Sequence, residues 1–167
     1  KELSAEVHTF VPGRKLDDHV QVMLRYASGA RGMLWASQVA SGAENALRLR
    51  VYGTKAGLAF DQEYPNDLWF TPLGGAARRL TRGRVQSAIA AHATRVPPGH
   101  PEGYLEAFAQ LYLDAALQIE ALDAGKPVPP ESRLLTTVDD GVEGMRFIEA
   151  VLKSSAMNAQ FREVGNG

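Results

Sequence analysis

The chain has 167 residues, a formal net charge of -1, 45% hydrophobic and 22% charged residues, and no cysteine. These values are typical of a folded domain with its own core, and the nearly balanced charge argues against nucleic acid or an anionic membrane as a general partner. Without cysteine there is no disulfide framework and no thiolate zinc site, and no apolar run approaches the roughly 20 residues of a membrane-spanning helix. We therefore predict a single cytoplasmic domain over residues 1–167, with its core at about 5–156 and with neither a nucleic-acid nor a membrane partner.

The first half of the chain alternates apolar and polar residues with the period of two that is typical of strands. Strands are predicted at about residues 5–11, 19–26, 33–39, 47–52, 58–61 and 68–71. The turns between them are short, and successive strands joined by short turns must be antiparallel, because parallel neighbours need a crossover of about a dozen residues or more. The first half is therefore expected to be mostly an antiparallel meander.

Residues 72–100 are rich in arginine. No acidic residue occurs between the first of these arginines and Glu102; they are Arg78, Arg79, Arg82, Arg84 and Arg95. The run could bind an anionic ligand, such as a phosphorylated molecule or the 2′-phosphate of a cofactor held elsewhere, or it could be a solvated surface loop. We favour the loop, with a weak strand and a short helix near 85–93.

The last third of the chain is helical. The first helix carries an apolar stripe at steps of 3 and 4 residues and ends at Gly125; its members are Tyr104, Phe108, Leu111, Tyr112, Ala115, Ile119 and Leu122. A capping box from Thr136 to Asp139 precedes the second helix, whose stripe is Val138, Val142, Met145, Ile148 and Leu152. The glycines at 141 and 144 disfavour a helix by about 1 kcal/mol each, which indicates a close approach of another backbone.

Strands followed by helices define the predicted fold class: α+β, with an open, mostly antiparallel β-sheet and helices packed on one face. Two helices leave the other face of the sheet uncovered, and that face carries Trp and Met among its polar residues. An exposed apolar patch of this kind favours a protein–protein contact. We predict a homo-oligomer formed through the exposed sheet face.

Five short motifs follow one another along the chain: Arg14-Lys15-Leu16-Asp17-Asp18, Ser37-Gln38-Val39-Ala40-Ser41-Gly42, Val51-Tyr52-Gly53, Glu63-Tyr64-Pro65-Asn66 and Gly99-His100-Pro101-Glu102-Gly103-Tyr104. Their order resembles that of the C-terminal domain of the Gfo/Idh/MocA oxidoreductases (glucose–fructose oxidoreductase, inositol dehydrogenase and relatives). The similarity extends from about residue 5 to 156. It implies an open antiparallel sheet that forms the wall of a substrate pocket and the oligomer interface.

The same resemblance implies an N-terminal Rossmann domain in the intact protein, which binds NAD(P) and supplies a Glu-Lys-Pro motif with the catalytic Lys. Neither that motif nor a G-x-G-x-x-G turn between a strand and a helix occurs in this sequence. The family's catalytic residues therefore have no matching positions here. We expect this chain alone to bind no cofactor and to be inactive, and the intact parent to be an NAD(P)-dependent sugar or polyol oxidoreductase.

His100 and Tyr104 are the candidate substrate-binding residues, because the resemblance implies that their loop lies beside the pocket and an imidazole can donate to a sugar hydroxyl. The alternative for His100 is a structural role, capping the helix or filling a turn. For Tyr104 the favoured interpretation is burial of the ring on the helix stripe, and substrate contact through its hydroxyl is the alternative. Asp17 and Asp18 point to opposite sides of an extended segment, so a role in a turn or pairing with Arg14 is favoured over catalysis. The four histidines show no metal-binding spacing.

The predicted function is thus the C-terminal part of an NAD(P)-dependent sugar or polyol oxidoreductase, contributing the pocket wall and the subunit interface. The alternative is a separate binding or oligomerisation module without redox activity, because a sheet with an exposed face and a loop beside a helix could serve either role.

Overall fold

The computed structural model describes residues 1–84 and 87–165, which divide into two compact units. One unit combines Lys1–Ala43 with the segment that begins at Thr136, and the other is Glu44–Leu135. The α+β class and the antiparallel strands are confirmed. The strands form two four-stranded sheets, one in each unit. Between the third and fourth strands, Gly42 and Ala46 adopt positive φ angles of 88° and 45°, which a continuing strand cannot accommodate.

The first seven strands and the three α-helices follow one another in the predicted order, whereas the 3₁₀ helix and the last strand were not predicted. In the first unit the strands are β1 (Glu2–His8), β2 (His19–Arg25) and β3 (Arg31–Ser37). The second unit contains β4 (Arg48–Tyr52), β5 (Ala56–Asp61), β6 (Asp67–Pro72), β7 (Arg78–Thr81), α1 (Ala88–His92), α2 (Tyr104–Asp123) and a 3₁₀ helix (Pro130–Leu134). The chain returns to the first unit with α3 (Val138–Ala156) and β8 (Arg162–Glu163). Val85 and Gln86, which belong to the helix predicted near 85–93, lie outside the described residues.

The first unit has its core between one face of its sheet and α3. The strand order is β3-β2-β1-β8, and residues at alternate positions of β1 and β2 point towards the helix. The buried core residues are Leu3, Ala5, Val22, Ala150 and Val151. Ser154 of α3 adds a buried polar contact, since its hydroxyl accepts the N–H of Ala5 at 2.9 Å and donates to the carbonyl of Gln160 at 2.7 Å.

The opposite face of this sheet is exposed, as the sequence predicts. Met23 lies directly opposite Met33 in the β2–β3 pair, and Gln21 lies opposite Trp35. The side chains of Met23, Met33 and Trp35 are 62%, 86% and 60% exposed. We call the surface formed by Gln21, Met23, Met33 and Trp35 the outer face of the first sheet.

The second unit contains a meander in the order β4-β5-β6-β7, in which every neighbour is antiparallel. Its long helix, α2, buries a polar side instead of the predicted apolar stripe. Gln110 and Asp114 lie on the covered side, while Ile119 and Leu122 of the predicted stripe are exposed. The prediction of a buried apolar stripe was therefore wrong. Helix α2 lies against the 3₁₀ helix and α1, and the backbone carbonyls and the histidine of these two elements need polar partners. For example, Gln118 Nε2 donates to the carbonyl of Ser132 at 2.6 Å.

Helix α3 also departs from the expectation. Its predicted stripe is exposed, and the side that packs on β1 consists of Phe147, Ala150, Val151 and Ser154. The capping box is shifted by one residue: the Thr137 hydroxyl accepts the N–H of Asp140, and the Asp140 carboxylate accepts the N–H of Thr137 at 2.7 Å. A Cβ built at Gly141 or Gly144 would meet no atom within 4 Å, so neither glycine permits a close backbone approach here.

Among the helices of the described residues, none combines the length and the apolar character that crossing a membrane requires.

Candidate functional site

The loop of residues 95–103 joins α1 to α2 and carries His100. The His100 side chain is exposed, and its Nδ1 lies 3.3 Å from the carbonyl oxygen of Pro97. Its backbone N–H donates to the same carbonyl at 3.2 Å, and Gly99 supplies the positive φ of 89° that this turn requires. The structure therefore holds the backbone of His100 in a tight turn and leaves its imidazole accessible to a ligand.

Tyr104 is the first residue of α2, and its side chain is 70% exposed. The predicted burial of this ring on the helix stripe was wrong, because that side of the helix is not covered. The Tyr104 ring lies 4.7 Å from the ring of Phe108, centroid to centroid, at an interplanar angle of 49°. Residues four positions apart lie on the same side of a helix, so the two rings form an exposed aromatic surface directly after the His100 loop.

Glu102 lies in the same loop but is buried, with 7% of its surface exposed. One carboxylate oxygen accepts the backbone N–H groups of Arg95 and Val96, the latter at 2.6 Å. The other oxygen lies 2.9 Å from Nη1 of Arg82, whose side chain is 14% exposed. Both carboxylate oxygens of Glu102 therefore have partners within the protein, which gives this side chain a structural role.

Arg82, which follows β7, also binds this loop. Its Nε donates to Oδ1 of Asn66 at 2.8 Å, and its Nη1 donates to the carbonyl of Val96 at 2.8 Å. Its Nη2 donates to the carbonyl of His100. The guanidinium thus binds three backbone carbonyls of the loop, those of Val96, Pro97 and His100, in addition to Glu102.

Asn66, in the turn between β5 and β6, completes this network. Its Nδ2 donates to the carbonyl of Glu102 at 2.9 Å, and its Oδ1 accepts the N–H of Glu102 at 3.1 Å. We call Asn66, Arg82 and Glu102 the loop clamp. Two of the sequence motifs, Glu63-Tyr64-Pro65-Asn66 and the one around Glu102, meet here although 36 positions separate the bonded residues.

Sequence reasoning missed the loop clamp. The only signal that could have indicated it was the arginine run itself, because Glu102 is the first acidic residue after it. Arg82 is mostly covered and pairs with Glu102, whereas Arg79, whose side chain is 58% exposed, lies 3.6 Å from the carboxylate of Asp67. Arg78 lies over the ring of Phe70 at 5.4 Å. These arginines therefore pair within the second unit.

A second polar cluster joins α1 to α2. His92 Nε2 lies 2.6 Å from Oδ1 of Asp114 and 2.8 Å from Nε2 of Gln110, and Asp114 is 6% exposed. The pair explains how a short helix is attached to the polar side of α2. Within residues 1–84 and 87–165, no group of three or more histidine, aspartate or glutamate side chains could hold a metal ion.

Asp18 has the structural role that the sequence favoured. It is 3% exposed, and its oxygens accept the N–H of Phe10 at 2.8 Å and of Val11 at 3.0 Å. The N–H of Phe10 makes the largest contribution to a pKa of the Asp18 carboxyl below its ordinary value of 3.8; burial opposes this, and Val11 and Arg14 assist it. The Arg14 guanidinium lies 3.5 Å from the same carboxylate.

A cavity of about 430 Å³ lies in the second unit beside the turns after β4 and β6. Tyr52, Trp69 and Leu73 are among its lining residues, whereas His100 and Tyr104 do not line it. Tyr52 lies over Gly57, where an added Cβ would come within 3.1 Å of the tyrosine ring. The cavity is therefore separate from His100 and Tyr104.

Comparison with known proteins shows that nearly the whole chain is similar to oxidoreductases. The family described as the GFO/IDH/MocA C-terminal domain matches residues 1–59. An oxidoreductase of Sinorhizobium meliloti is 48% identical, with a TM-score of 0.89 over 98% of this chain and 46% of that one. The chain belongs to the C-terminal domains of the Gfo/Idh/MocA family.

Two further relatives are more distant. The uncharacterized oxidoreductase YfiI of Bacillus subtilis is 31% identical over 93% of this chain and 40% of its own length. An inositol dehydrogenase homolog of Azotobacter vinelandii, solved with NADH and myo-inositol, is 30% identical, with a TM-score of 0.87 over 98% of this chain and 44% of that one. The chain therefore spans less than half the length of each of these relatives.

The described residues do not offer a fit for a nicotinamide dinucleotide. Every strand pair within residues 1–84 and 87–165 is antiparallel. A dinucleotide pyrophosphate rests on the turn between a strand and a helix of a parallel βαβ unit, and the described part contains no such unit. The expectation that the chain alone binds no cofactor stays a prediction.

Proposed function

We propose that this chain is the C-terminal part of an NAD(P)-dependent oxidoreductase that acts on a sugar or a polyol. The observation that carries the proposal is the likeness of nearly the whole chain to oxidoreductases, one of them an inositol dehydrogenase homolog solved with NADH and myo-inositol. The cofactor would be held by a part of the parent protein other than the residues described here. This chain would contribute the wall of the substrate site.

We assign substrate contact to His100 and Tyr104, with Phe108 beside them. An accessible imidazole can donate to or accept from a hydroxyl, and the adjacent aromatic surface can cover the apolar C–H face of a sugar or cyclitol ring. Ligand sites commonly combine a mostly apolar wall with a few polar groups that fix orientation. The exposure of His100 and the 4.7 Å pairing of Tyr104 with Phe108 support this assignment.

We further propose that the outer face of the first sheet is a subunit interface. Two methionines and a tryptophan lie together on it and are 60% or more exposed. Met and Trp are enriched at protein interfaces relative to the rest of a protein surface. A second copy of this chain is the partner that the proposal requires.

The assignment of His100 predicts a selective effect on substrate affinity. In the full-length protein, His100→Ala should raise KM for the best substrate of a sugar and polyol panel about 5- to 10-fold, which is the loss of one hydrogen bond worth about 1 kcal/mol. KM for NAD(P) should stay unchanged, because the cofactor is held elsewhere. Steady-state kinetics with each substrate varied in turn measures both values.

Tyr26 provides a control for the aromatic surface, since it follows β2 in the first unit and is 43% exposed. Tyr104→Ala should raise KM for the sugar or polyol, and Tyr26→Ala should not. Unchanged kinetics in His100→Ala and Tyr104→Ala would overturn the residue assignment. A full-length protein that oxidises or reduces no member of the panel with either NAD or NADP would favour the binding module instead.

A further inference from the structure

We propose that the loop clamp of Asn66, Arg82 and Glu102 positions His100 for substrate, so that the loop is preformed rather than a lid that closes on binding. The inference rests on the proposed function, because it assumes that His100 contacts substrate. Asn66, Arg82 and Glu102 are positioning residues in this proposal. None of them is exposed, and none is assigned to substrate contact.

The balance of hydrogen bonds around Arg82 supports a single loop conformation. A guanidinium has five N–H donors. Four of them have hydrogen-bond acceptors, namely Asn66 Oδ1 and the carbonyls of Val96, Pro97 and His100, and Glu102 Oε2 adds an ion-pair contact at 2.9 Å. If the loop moved away, the mostly covered Arg82 guanidinium and the buried Glu102 carboxylate would both lose their partners, which is unfavourable.

The contacts of Glu102, which belongs to the loop, also support a single loop conformation. Its carboxylate binds the N–H groups of Arg95 and Val96, at the start of the loop, while its own backbone is bound by Asn66 at the end of the loop. Glu102 therefore closes the loop into a ring. His100 lies inside that ring, and its own carbonyl is bound by Arg82.

A steric contact independent of these charges holds the same loop. Gly83, next to Arg82, has a φ of +75°, and a Cβ built there would lie 2.8 Å from Cγ of Pro98. The loop thus packs so closely on the turn after β7 that only glycine fits beneath Pro98. Polar and steric contacts both fix the segment that contains His100.

Loop order gives a test that needs no substrate. In the full-length protein, Arg82→Lys keeps the positive charge but replaces the planar fork with a point charge that has only three donors. Hydrogen exchange of the backbone amides in residues 95–102, followed by mass spectrometry, should become at least about tenfold faster, a free-energy change of about 1.4 kcal/mol. Arg79→Lys is the matched control, since Arg79 is an exposed ion-pair partner on β7.

Unchanged exchange in Arg82→Lys would overturn the clamp, whatever His100 does. If Arg82→Lys does not fold, Asn66→Ala replaces it; this variant removes the bonds of Asn66 but keeps the Arg82–Glu102 ion pair, and the same acceleration is expected. Unchanged exchange in Asn66→Ala would then overturn the clamp.

A double-mutant cycle distinguishes positioning from stability alone. Arg82→Lys should raise KM for the sugar or polyol in the wild-type background and should add less than about twofold in the His100→Ala background, because the clamp acts through His100. Full additivity would overturn the positioning role. If His100→Ala itself leaves KM unchanged, the proposed function fails, while hydrogen exchange still decides whether the clamp holds the loop.

Discussion

Asp18 and Glu102 are two buried carboxylates that stabilise loops in the same way, one in each unit. Asp18 accepts the N–H groups of Phe10 and Val11 and is paired with Arg14. Glu102 accepts the N–H groups of two successive residues and is paired with Arg82. In both cases an acidic side chain satisfies backbone donors that no strand or helix reaches, and an arginine balances its charge.

The Asp18 contacts predict a pH-dependent stability difference. Asp18→Asn keeps the shape of the side chain but replaces one acceptor oxygen with a donor, so it should lower the urea midpoint of unfolding at neutral pH. The folded-state pKa of Asp18 lies below its ordinary value of 3.8, so the stabilisation is present above that value and is lost as the pH falls through the folded-state pKa. Urea titrations from about pH 6 to about pH 3 should show the two proteins converging in acid.

If the urea midpoints of wild type and Asp18→Asn differed by the same amount across this pH range, the proposed role of the Asp18 carboxylate would be contradicted. Asp17→Asn serves as the control, because Asp17 is exposed. This variant should have the wild-type urea midpoint of unfolding at every pH.

For individual residues, the sequence predicted contacts between near neighbours in the chain better than contacts between positions far apart in the chain. Asp18 and Arg14 are four positions apart, so their pairing was within reach of sequence reasoning. Glu102 and Asn66 are separated by 36 positions, and their contact depends on how a turn of the second sheet approaches the loop. His100 was identified as a candidate, whereas the residues that hold it were not.

At the scale of elements, periodicity located the helices but not their covered sides. The predicted stripes of both α2 and α3 are exposed. An apolar stripe indicates a side that is covered in the complete assembly, and it does not say whether the cover lies in the same chain. The buried side of α2 is polar because its neighbours in the second unit present backbone carbonyls and His92, which a hydropathy pattern does not reveal.

The two glycines of α3 give a prediction for this element. A Cβ at Gly141 or Gly144 would meet open space, so Gly→Ala at either position should stabilise the helix by about 0.5–1 kcal/mol. Thermal and urea unfolding of the chain measure the change. Gly83→Ala is the opposite control and should destabilise the chain, since it places a methyl group against Pro98 at a positive φ.

Destabilisation by Gly141→Ala and Gly144→Ala would mean that this side of α3 packs closely against another surface. In that case the exposed side of α3 would be covered in the assembled protein.

At the scale of the whole molecule, the α+β class and the order of strands and helices followed from the alternation, the short turns and the helix stripes. The division into two sheets did not follow from these patterns, because it depends on the backbone conformation at Gly42 and Ala46 and not on any hydrophobic pattern. The exposure of the outer face of the first sheet was predicted correctly from the number of helices available to cover it.

The proposed interface predicts a concentration-dependent oligomer. The protein should self-associate at high micromolar concentration in sedimentation velocity, and Met33→Lys should shift the equilibrium towards the monomer, because it places a charge at the centre of an apolar contact. Leu16→Lys is the matched control, since Leu16 is 77% exposed in the same unit but lies outside the outer face. A strict monomer in the wild type, or equal association of both variants, would contradict the interface.

The arrangement around Arg82 also bears on how this loop could be redesigned. The surrounding residues hold the loop through its main-chain carbonyls and through Glu102, so the side chains at positions 97 and 100 contribute little to its shape. A library that varies those two positions while preserving Pro98, Gly99 and Glu102 would change the chemistry offered to a ligand on an unchanged scaffold. Selection for a new specificity could then proceed without first restoring the loop's shape.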